Sequence, residues 1–303
     1  MYSVLSDFLS SRRFKFLRRY PLAQLSSIKA GGFAEFYIIP NSAEDFITII
    51  DFLYNLRIPH RVIGRATNTL FACDSFPGAV VSTEGMRAVS NKGEVFFAEC
   101  GASLAAIMSY ASRLGYGGGE QLWLVPGTLG GAVRGNAGAH GIEVYDVLEY
   151  ADVYFPESGE LVRLGRDELG FGYRDSLIKS AGNAYVTSAV LRLLKMEHSD
   201  ILARRRRFLE ERMRSQPCGM PSLGSVFKRV NGISAGYYIE KAGLKGLRIG
   251  GAEVSQKHAG FIVNTGGASY SDVLELIRIV EERVYEKFGI MPEKEIEIIG
   301  KEV

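Results

Sequence analysis

The sequence has few cysteines and no pairing pattern among them. Its 303 residues include three cysteines, Cys73, Cys100 and Cys218, which are odd in number and far apart. Because there is no Cys-x-x-Cys pair and no even set, we predict neither a disulfide framework nor a metal site. A protein without structural disulfides is typical of a reducing compartment, so the composition favours the cytoplasm.

Long apolar runs and an excess of one charge are also missing. No apolar stretch approaches the roughly 18 residues of a membrane-spanning helix, and the arginine-rich N-terminus lacks the apolar core of a signal peptide. With 36 basic and 34 acidic residues the net charge is +2, so nothing at whole-chain level indicates nucleic acid or an anionic membrane as a partner. We predict a soluble cytoplasmic protein with no membrane span; its oligomeric state is left open.

What is present is an ordinary globular balance of 47% hydrophobic and 23% charged residues, enough for two or three packed units. Helix and strand patterns mix along the chain, which indicates an α+β protein, and the composition changes near residue 200. A capping box from Ser42 to Asp45 opens a helix whose apolar stripe includes Phe46 and Leu53. Strands are predicted at Phe33–Ile39, Arg61–Ile63, Val95–Ala98, Val147–Phe155, Tyr185–Leu194, Ser225–Lys228, Gly260–Asn264 and Glu295–Ile299, and further helices at Leu104–Leu114, Ile201–Ser215, Ala235–Ala242 and Ser271–Phe288.

A run of four arginines, Arg204–Arg207, lies in the predicted helix Ile201–Ser215. Consecutive residues spread around most of a helix, so these four do not form one basic stripe. Glutamates four residues further on pair with two of them, and the spacing of Leu202, Leu209 and Met213 predicts one apolar face. A solvated linker helix is favoured over a nucleic-acid site.

Two standard nucleotide fingerprints, G-x-G-x-x-G and G-x-x-x-x-G-K-[ST], are absent, yet two glycine-bearing loops follow predicted strands. They are Gly64–Leu70 and Pro126–Gly141, and the second contains six glycines. Glycine loses the most backbone entropy on folding, so six of them need a reason. Bare N–H groups can approach a pyrophosphate and donate to its oxygens. An anion or cofactor site and a set of tight turns both remain open.

The chain resembles the UDP-N-acetylenolpyruvylglucosamine reductase family, and it is most similar to the shorter of the two classes. The resemblance depends on motifs that follow the family order across most of the chain. They are Ile28–Ala34, Gly64–Leu70, Val125–Gly141, Glu168–Ser176, Gln216–Pro217, Pro221–Lys228, Ala242–Gly246, Ile249–Ala252, Val254–Phe261 and Glu295–Gly300. Each motif is weak alone, but their common order makes the set strong.

The resemblance implies an FAD-binding fold of the vanillyl-alcohol-oxidase type with two subdomains, about 1–90 and 91–200, followed by a C-terminal α+β substrate-binding domain, 201–303. The last strand can return to the active site. The implied reaction reduces the enolpyruvyl group of a UDP-sugar to give UDP-N-acetylmuramate for peptidoglycan, with NADPH as co-substrate. No His or Cys is placed for covalent attachment, so we expect noncovalent FAD.

Three residues match the family's catalytic positions: Arg174, Ser225 and Glu295. Hydride arriving at one alkene carbon drives negative charge onto the neighbouring carbon and its carboxylate, and the Arg174 guanidinium would stabilise that charge. Ser225 would protonate the carbon, and Glu295 would complete the arrangement. Without the family match, Arg174 could close a loop through backbone carbonyls, Ser225 could be a strand-edge hydroxyl, and Glu295 resembles its acidic neighbours.

The family match also assigns the cofactor contacts to the two glycine loops. Backbone amides of the second loop would close on the pyrophosphate of FAD, and the segment after Gly135 would continue toward the flavin ring. The predicted cofactor-binding residues are Gly64, Arg65, Thr67, Asn68, Gly127, Thr128, Gly130, Gly131, Asn136 and Gly138.

The sequence departs from the family pattern in three places. Arg65-Ala66 replaces a more flexible pair in the first loop, Gly135 stands where a bulkier residue is usual, and Arg229-Val230 replaces Asn-Pro. Lys228, Arg229, Lys257 and His258 are candidate contacts for the UDP phosphates or the nicotinamide cofactor, although a solvated face explains any one of them equally well. The alternative functions are another flavoprotein oxidoreductase on the same scaffold, or a phosphate-ligand or RNA-binding module.

Overall fold

The structure is a computed structural model and describes residues 2–300, so residues 301–303 of the predicted C-terminal domain lie outside the described residues. The α-helices are α1 Tyr2–Ser11, α2 Leu22–Leu25, α3 Ala43–Asn55, α4 Leu104–Arg113, α5 Leu129–Arg134, α6 Val144–Val147, α7 Leu177–Ala181, α8 His198–Ser215, α9 Ala235–Lys241 and α10 Tyr270–Phe288. Short 3-10 helices occupy Thr83–Gly85 and Leu122–Leu124.

The strands are mostly short, as expected for chains with many glycine turns. They are β1 Lys15–Pro21, β2 Phe33–Ile39, β3 His60–Ile63, β4 Thr69–Ala72, β5 Ser75–Ser82, β6 Val89–Lys92, β7 Val95–Glu99, β8 Tyr116–Gly117, β9 Gly138–Ala139, β10 Ile142–Glu143, β11 Leu148–Phe155, β12 Glu160–Gly165, β13 Tyr185–Arg192, β14 Leu194–Lys195, β15 Ser222–Ser225, β16 Arg248–Ile249, β17 Ala252–Val254, β18 Phe261–Asn264 and β19 Glu297–Gly300.

The chain packs as two units that interleave along the sequence. One comprises Met1–Arg18, Phe36–Arg65 and Gly78–Glu210, and the other comprises Arg19–Glu35, Ala66–Pro77 and Glu211–Val303. We call them the first and second units. These units are defined by packing, whereas the predicted regions are defined by what they bind, FAD or substrate. The predicted division therefore stays a prediction.

The first unit is built around a five-stranded antiparallel sheet of order β12-β11-β13-β7-β6. Helices α4 and α5 pack against its strands β7 and β13. In a second sheet, of order β1-β2-β5-β3, strand β3 runs parallel to β5. Helix α3 begins at the cap Ser42, whose hydroxyl accepts the Asp45 N–H, and its stripe Phe46, Ile49, Ile50 and Leu53 is buried as predicted.

The second unit has a four-stranded antiparallel sheet of order β15-β18-β17-β16 and a parallel pair of β4 with β19. All four residues of β18 are buried, which suits a strand inside a sheet. Helix α10 packs against β4, β16 and β17. It begins with a capping box between Ser269 and Asp272 and ends at Gly289, whose φ of +67° satisfies the left-handed cap that glycine adopts without strain.

Two predicted features of secondary structure are wrong in detail. The strand predicted at Ser225–Lys228 lies at Ser222–Ser225, because the register with β18 shifts inside it and the chain then turns to bridge Phe227 with Lys294. The face of α8 predicted from Leu202, Leu209 and Met213 is not the buried one: Leu202 and Met213 are exposed.

The buried face of α8 instead includes Ile201, Arg205 and Phe208, which share one side of the helix. The Arg205 guanidinium lies 5.2 Å from the Trp123 ring centroid and donates to the Met108 carbonyl, so an arginine occupies a core-facing position. Arg206 pairs with Glu210 at 3.1 Å, as predicted. The four arginines thus point in different directions and form no single basic stripe.

Candidate active site

The two glycine loops meet within the first unit. Gly64 directly follows β3, and Thr128 is the N-cap residue directly before α5. A Cβ on Gly64 would lie 2.2 Å from Thr128 Oγ1, so only glycine lets the loops approach this closely. Strand ends and a helix start that face each other in this way form the usual cradle of a phosphate group.

The first turn of α5 uses some of its amides inside the protein. The Leu129 N–H donates to the Ala102 carbonyl at 2.8 Å, and the Gly130 N–H donates to the Cys100 carbonyl at 2.8 Å. The Gly130 amide is therefore engaged, which corrects the expectation that it closes on a pyrophosphate. Gly130 has a different requirement, because a Cβ there would lie 3.0 Å from Cys100 Cβ.

Gly131 differs from its neighbour in two ways. Its N–H belongs to the first four amides of the helix, which have no intrahelical acceptor, and no carbonyl among residues 2–300 accepts it. A Cβ on Gly131 would meet only Thr128 Oγ1, at 3.7 Å, so the space on the Cβ side of this residue is open. Gly127 precedes the helix with a φ of +148°, a conformation that L side chains rarely adopt. An open amide behind a glycine turn fits an anionic group.

The remaining positions of the first loop are divided between the units. Arg65 is exposed and belongs to the first unit, while Thr67 and Asn68 belong to the second. The Asn68 side chain donates to the Glu295 carbonyl at 3.0 Å, and the Asn68 carbonyl accepts the Glu297 N–H at 2.9 Å. The second unit therefore brings a predicted cofactor residue beside a predicted catalytic one.

Asn136 is buried, and its side chain is fully used within the first unit. Its amide nitrogen donates to a Glu143 carboxylate oxygen at 2.7 Å and to the Gly172 carbonyl at 3.1 Å, and its Oδ1 accepts the Tyr145 N–H at 3.1 Å. The main chain of Asn136 is engaged as well, since its N–H donates to the Val133 carbonyl at 3.2 Å and its carbonyl accepts from the Arg174 guanidinium at 3.5 Å. Asn136 has a φ of +40°, so the network also holds a strained backbone.

Arg174 is fixed against the end of the glycine-rich stretch. Its guanidinium donates to the carbonyls of Asn136 at 3.5 Å and Gly138 at 3.2 Å, and it lies 3.6 Å from a Glu143 carboxylate oxygen. Its backbone has a φ of +57°, a conformation that is uncommon outside glycine. The structure thus contains the loop-closing contacts, and the same contacts orient the guanidinium, as a charge-stabilising role requires.

Two residues around Arg174 were missed by sequence reasoning. Glu143 accepts from Asn136 and pairs with Arg174, and the Lys179 ammonium donates to the Arg174 carbonyl at 2.7 Å. The spacing of Glu143 and Asp146, whose carboxylate accepts the Glu143 N–H at 2.7 Å, resembles a helix start and could have drawn attention to this position. Lys179 had no comparable signal.

Ser225 and Glu295 are brought together by main-chain pairing in the second unit. The Glu295 N–H donates to the Val226 carbonyl at 2.8 Å, one residue after Ser225. The Ser225 hydroxyl is half-buried and donates to the Phe227 carbonyl at 3.1 Å. The hydroxyl proton points at that carbonyl, so donation to a substrate requires the hydroxyl to rotate away from Phe227.

The four candidate substrate contacts differ in their surroundings. The Lys228 ammonium pairs with the Glu293 carboxylate, and the backbone N–H of Lys228 donates to the Glu293 carbonyl at 2.8 Å. Arg229 and Lys257 are exposed, and the Lys257 ammonium donates to the Met213 carbonyl. His258 is half-buried, and burial lowers its pKa. All four belong to the second unit.

No helix within residues 2–300 combines the length and the apolar character needed to cross a bilayer.

Comparison with known proteins places these features in a family. Residues 34–165 match the family model described as an FAD binding domain, and residues 216–299 match the model of the UDP-N-acetylenolpyruvoylglucosamine reductase C-terminal domain. The chain is 41% identical over 286 residues to UDP-N-acetylenolpyruvoylglucosamine reductase of Carboxydothermus hydrogenoformans, covering 94% of each chain. It is 38% identical over 303 residues to the reductase of Syntrophomonas wolfei, covering both chains completely.

A solved structure agrees with the sequence matches. The crystal structure of UDP-N-acetylenolpyruvylglucosamine reductase from Thermus caldophilus matches with a TM-score of 0.80 and 32% identity, over 95% of this chain and 99% of that one. These comparisons confirm the predicted α+β class, with an FAD-binding fold of the vanillyl-alcohol-oxidase type and a C-terminal domain. The chain belongs to the UDP-N-acetylenolpyruvoylglucosamine reductase family of flavin-dependent oxidoreductases.

Proposed function

We propose that the chain reduces UDP-N-acetylenolpyruvylglucosamine to UDP-N-acetylmuramate with electrons from NADPH, as a cytoplasmic step in peptidoglycan precursor synthesis for cell-wall growth, cell shape and division. The printed names of its relatives support the substrate. The single observation that carries the proposal is the main-chain pairing of Glu295 with Val226, because it brings the segment of Glu295 beside the strand that ends at Ser225.

The glycine loops fit noncovalent FAD, whose site we place in the 1–200 region. No carbonyl within residues 2–300 accepts the Gly131 N–H, the space on the Cβ side of Gly131 is open, and the exposed cation Arg65 belongs to the other loop of the cradle. When bound, FAD supplies hydride transfer between NADPH and the enolpyruvyl double bond. Burial raises the pKa of Cys100, beside Gly130, to about 12, so its thiol stays protonated and is a poor nucleophile for covalent attachment.

Arg174 would bind the carboxylate of the enolpyruvyl group. A guanidinium oriented by two carbonyls and a carboxylate loses little further entropy when it pairs with an incoming carboxylate. As negative charge grows on that group during reduction, the fixed cation stabilises it more strongly than it stabilises the substrate.

Ser225 would donate its hydroxyl proton to the carbon that becomes electron-rich. A hydroxyl is a weak acid, but a developing carbanion is a strong base, so a well-placed serine suffices. Glu295 would complete the charge and hydrogen-bond arrangement from the adjacent segment. We place the UDP-sugar in the 201–303 region, with Lys228, Arg229, Lys257 and His258 as candidate contacts.

An anaerobic two-step measurement tests the proposal. Protein loaded with FAD should be yellow, should bleach on addition of NADPH, and should regain its absorbance when UDP-N-acetylenolpyruvylglucosamine is added without oxygen. The same titration with NADH reports the nicotinamide preference. A colourless protein that cannot be reconstituted with FAD contradicts the proposal. Reoxidation only by oxygen or another acceptor would instead identify a different flavoprotein oxidoreductase.

The role of Arg174 gives a separate prediction. Arg174→Lys keeps the charge but loses the planar fork, so we expect substrate-dependent reoxidation to slow by about 10- to 100-fold. Arg163→Lys is the matched control, since Arg163 also pairs with a carboxylate, Asp152 at 2.9 Å, on an exposed surface. Stopped-flow absorbance would measure both. If Arg174→Lys is reoxidised at the wild-type rate, Arg174 serves only to close the loop.

A further inference from the structure

The turn that precedes β18 contains an imidazole held by the backbone. His258 Nδ1 accepts the Gly260 N–H at 3.1 Å, and the His258 carbonyl accepts the Phe261 N–H at 3.0 Å. The Gly260 carbonyl in turn accepts the Val226 N–H at 2.8 Å, and Ser225 lies opposite Phe261 in the sheet. Gly260 therefore links the His258 ring to the strand that carries Ser225.

The same glycine separates the ring from the serine hydroxyl. A Cβ built on Gly260 would lie 3.0 Å from His258 Cε1, 3.1 Å from His258 Nδ1 and 3.3 Å from Ser225 Oγ. Ring and hydroxyl thus both lie within 3.3 Å of the place that one methyl group on Gly260 would occupy. Because packing is close here, a small movement of Gly260 changes the distance between the Ser225 hydroxyl and a substrate bound beside it.

The hydrogen bond from Gly260 defines the protonation state of His258. A backbone N–H is always a donor, so Nδ1 must present a lone pair and the neutral ring carries its proton on Nε2. Burial is the main cause that lowers the pKa of His258 below its usual value. A hydrogen bond to its own backbone raises the pKa in part, Lys245 lowers it further and Glu240 raises it. Lys245 and Glu240 pair with each other at 2.9 Å, and the other cation of this turn, Lys257, donates to the Met213 carbonyl.

We propose that His258 is a positioning residue for the Ser225 hydroxyl, acting through the hydrogen bond between its Nδ1 and Gly260, and that protonation of His258 switches this positioning off. The proposal rests on the proposed function, because it concerns the proton that Ser225 donates to the substrate. His258 itself need not contact the substrate for this role.

Protonation has a defined consequence in this geometry. A protonated Nδ1 would point its hydrogen at the Gly260 N–H, so two donors would face each other and the turn would have to open. Gly260 would move, and the Val226 pairing and the Ser225 hydroxyl would move with it. Since the pKa of His258 is depressed, the neutral ring prevails at neutral pH and the positioning is lost as pH falls through that depressed pKa.

Two variants separate this role from a general packing role. The Oδ1 of asparagine can occupy the place of Nδ1 and accept the Gly260 N–H but cannot titrate, whereas alanine offers no acceptor. We expect His258→Asn to be reoxidised by the substrate at least about 30-fold faster than His258→Ala near neutral pH and to lose the decline at acidic pH. We expect His258→Ala to lower the limiting rate of substrate-dependent reoxidation by about 100-fold near neutral pH, as a displaced catalytic group does, and to converge with the wild type at acidic pH, where the protonated wild-type ring no longer positions Ser225.

The positioning role predicts that the loss in His258→Ala falls on the limiting rate of substrate-dependent reoxidation, because that half-reaction uses Ser225, and not on flavin reduction by NADPH or on substrate affinity alone. An acidic decline that persists in His258→Asn, or a His258→Ala rate close to wild type near neutral pH, overturns the proposal. A His258→Ala effect on substrate affinity alone would make His258 a substrate contact instead.

A measurement without turnover keeps this test separate from the proposed function. Protein labelled with ¹⁵N-histidine contains four imidazoles, and the signals missing in His258→Asn identify His258. We expect a neutral ring with an unprotonated Nδ1 at pH 7, titrating below 6.5. Nδ1–H in the neutral form, or an ordinary titration, contradicts the inference even if the enzyme is a different flavoprotein. Failure of the wild type to be reoxidised by the substrate contradicts the proposed function alone.

Discussion

Reduced Ser225→Ala protein should be reoxidised by the substrate about 100- to 10,000-fold more slowly than wild type, because the alanine has no proton to give to the electron-rich carbon. Flavin reduction by NADPH should remain close to the wild-type rate, since that half-reaction needs no proton from Ser225. Anaerobic stopped-flow absorbance measures the two halves separately on one sample.

The structure supports such a selective effect. The hydroxyl makes one hydrogen bond, to the Phe227 carbonyl, and Ser225 is half-buried, so its loss should lower the free energy of unfolding by only about 1 kcal/mol. Ser222→Ala is the matched control, since Ser222 lies on the same strand β15. Equal losses in both half-reactions would instead assign Ser225 to folding or FAD binding.

Gly131→Val should lower the affinity for FAD by at least about 100-fold, because its side chain would fill the open space beside Gly131, whose N–H no carbonyl within residues 2–300 accepts. The same substitution should be tolerated by the protein itself. A Cβ at Gly131 meets only Thr128 Oγ1, at 3.7 Å, and valine is a better helix former than glycine. Titration of apoprotein with FAD, followed by flavin fluorescence, measures the affinity.

Gly135→Val is the control for that experiment. It lies one turn further along, and a Cβ there would meet only the Gly131 carbonyl at 3.6 Å. We expect its FAD affinity to equal that of wild type, and both apoproteins to unfold at similar temperatures. Unchanged affinity in Gly131→Val would mean that the glycines serve only tight turns and close packing.

Much of the fold follows from local patterns. Helix α3 begins at Ser42 and buries Phe46, Ile49, Ile50 and Leu53 because cap and stripe are both encoded within a few residues. Strand β2 has the predicted bounds Phe33–Ile39. Helix α8 shows the limit of such patterns. Its buried face includes Arg205, whose guanidinium lies over the Trp123 ring and donates to the Met108 carbonyl. Both partners are far away in sequence. No periodicity of apolar residues can reveal an arginine that packs inward.

The candidate site divides in the same way. The order of the sequence motifs identified the family, and the family match then pointed to Arg174, Ser225 and Glu295. Their roles stay predictions. Sequence could not tell that the Gly130 amide is already bonded to Cys100 while the Gly131 amide is open. Nor could it tell that the Asn136 side chain is fully engaged, or that His258 is tied through Gly260 to the strand of Ser225.

The sequence by itself determined the class of the fold, the family and which short segments carry chemistry, because caps, apolar periods and motifs are properties of neighbouring residues. The tertiary structure alone decided that 19–35 and 66–77 pack with 211–303, and which donors in those segments are left for a ligand. The physical reason is that a backbone amide is open or engaged according to which distant carbonyl approaches it. That pairing is set by packing between segments far apart in the chain.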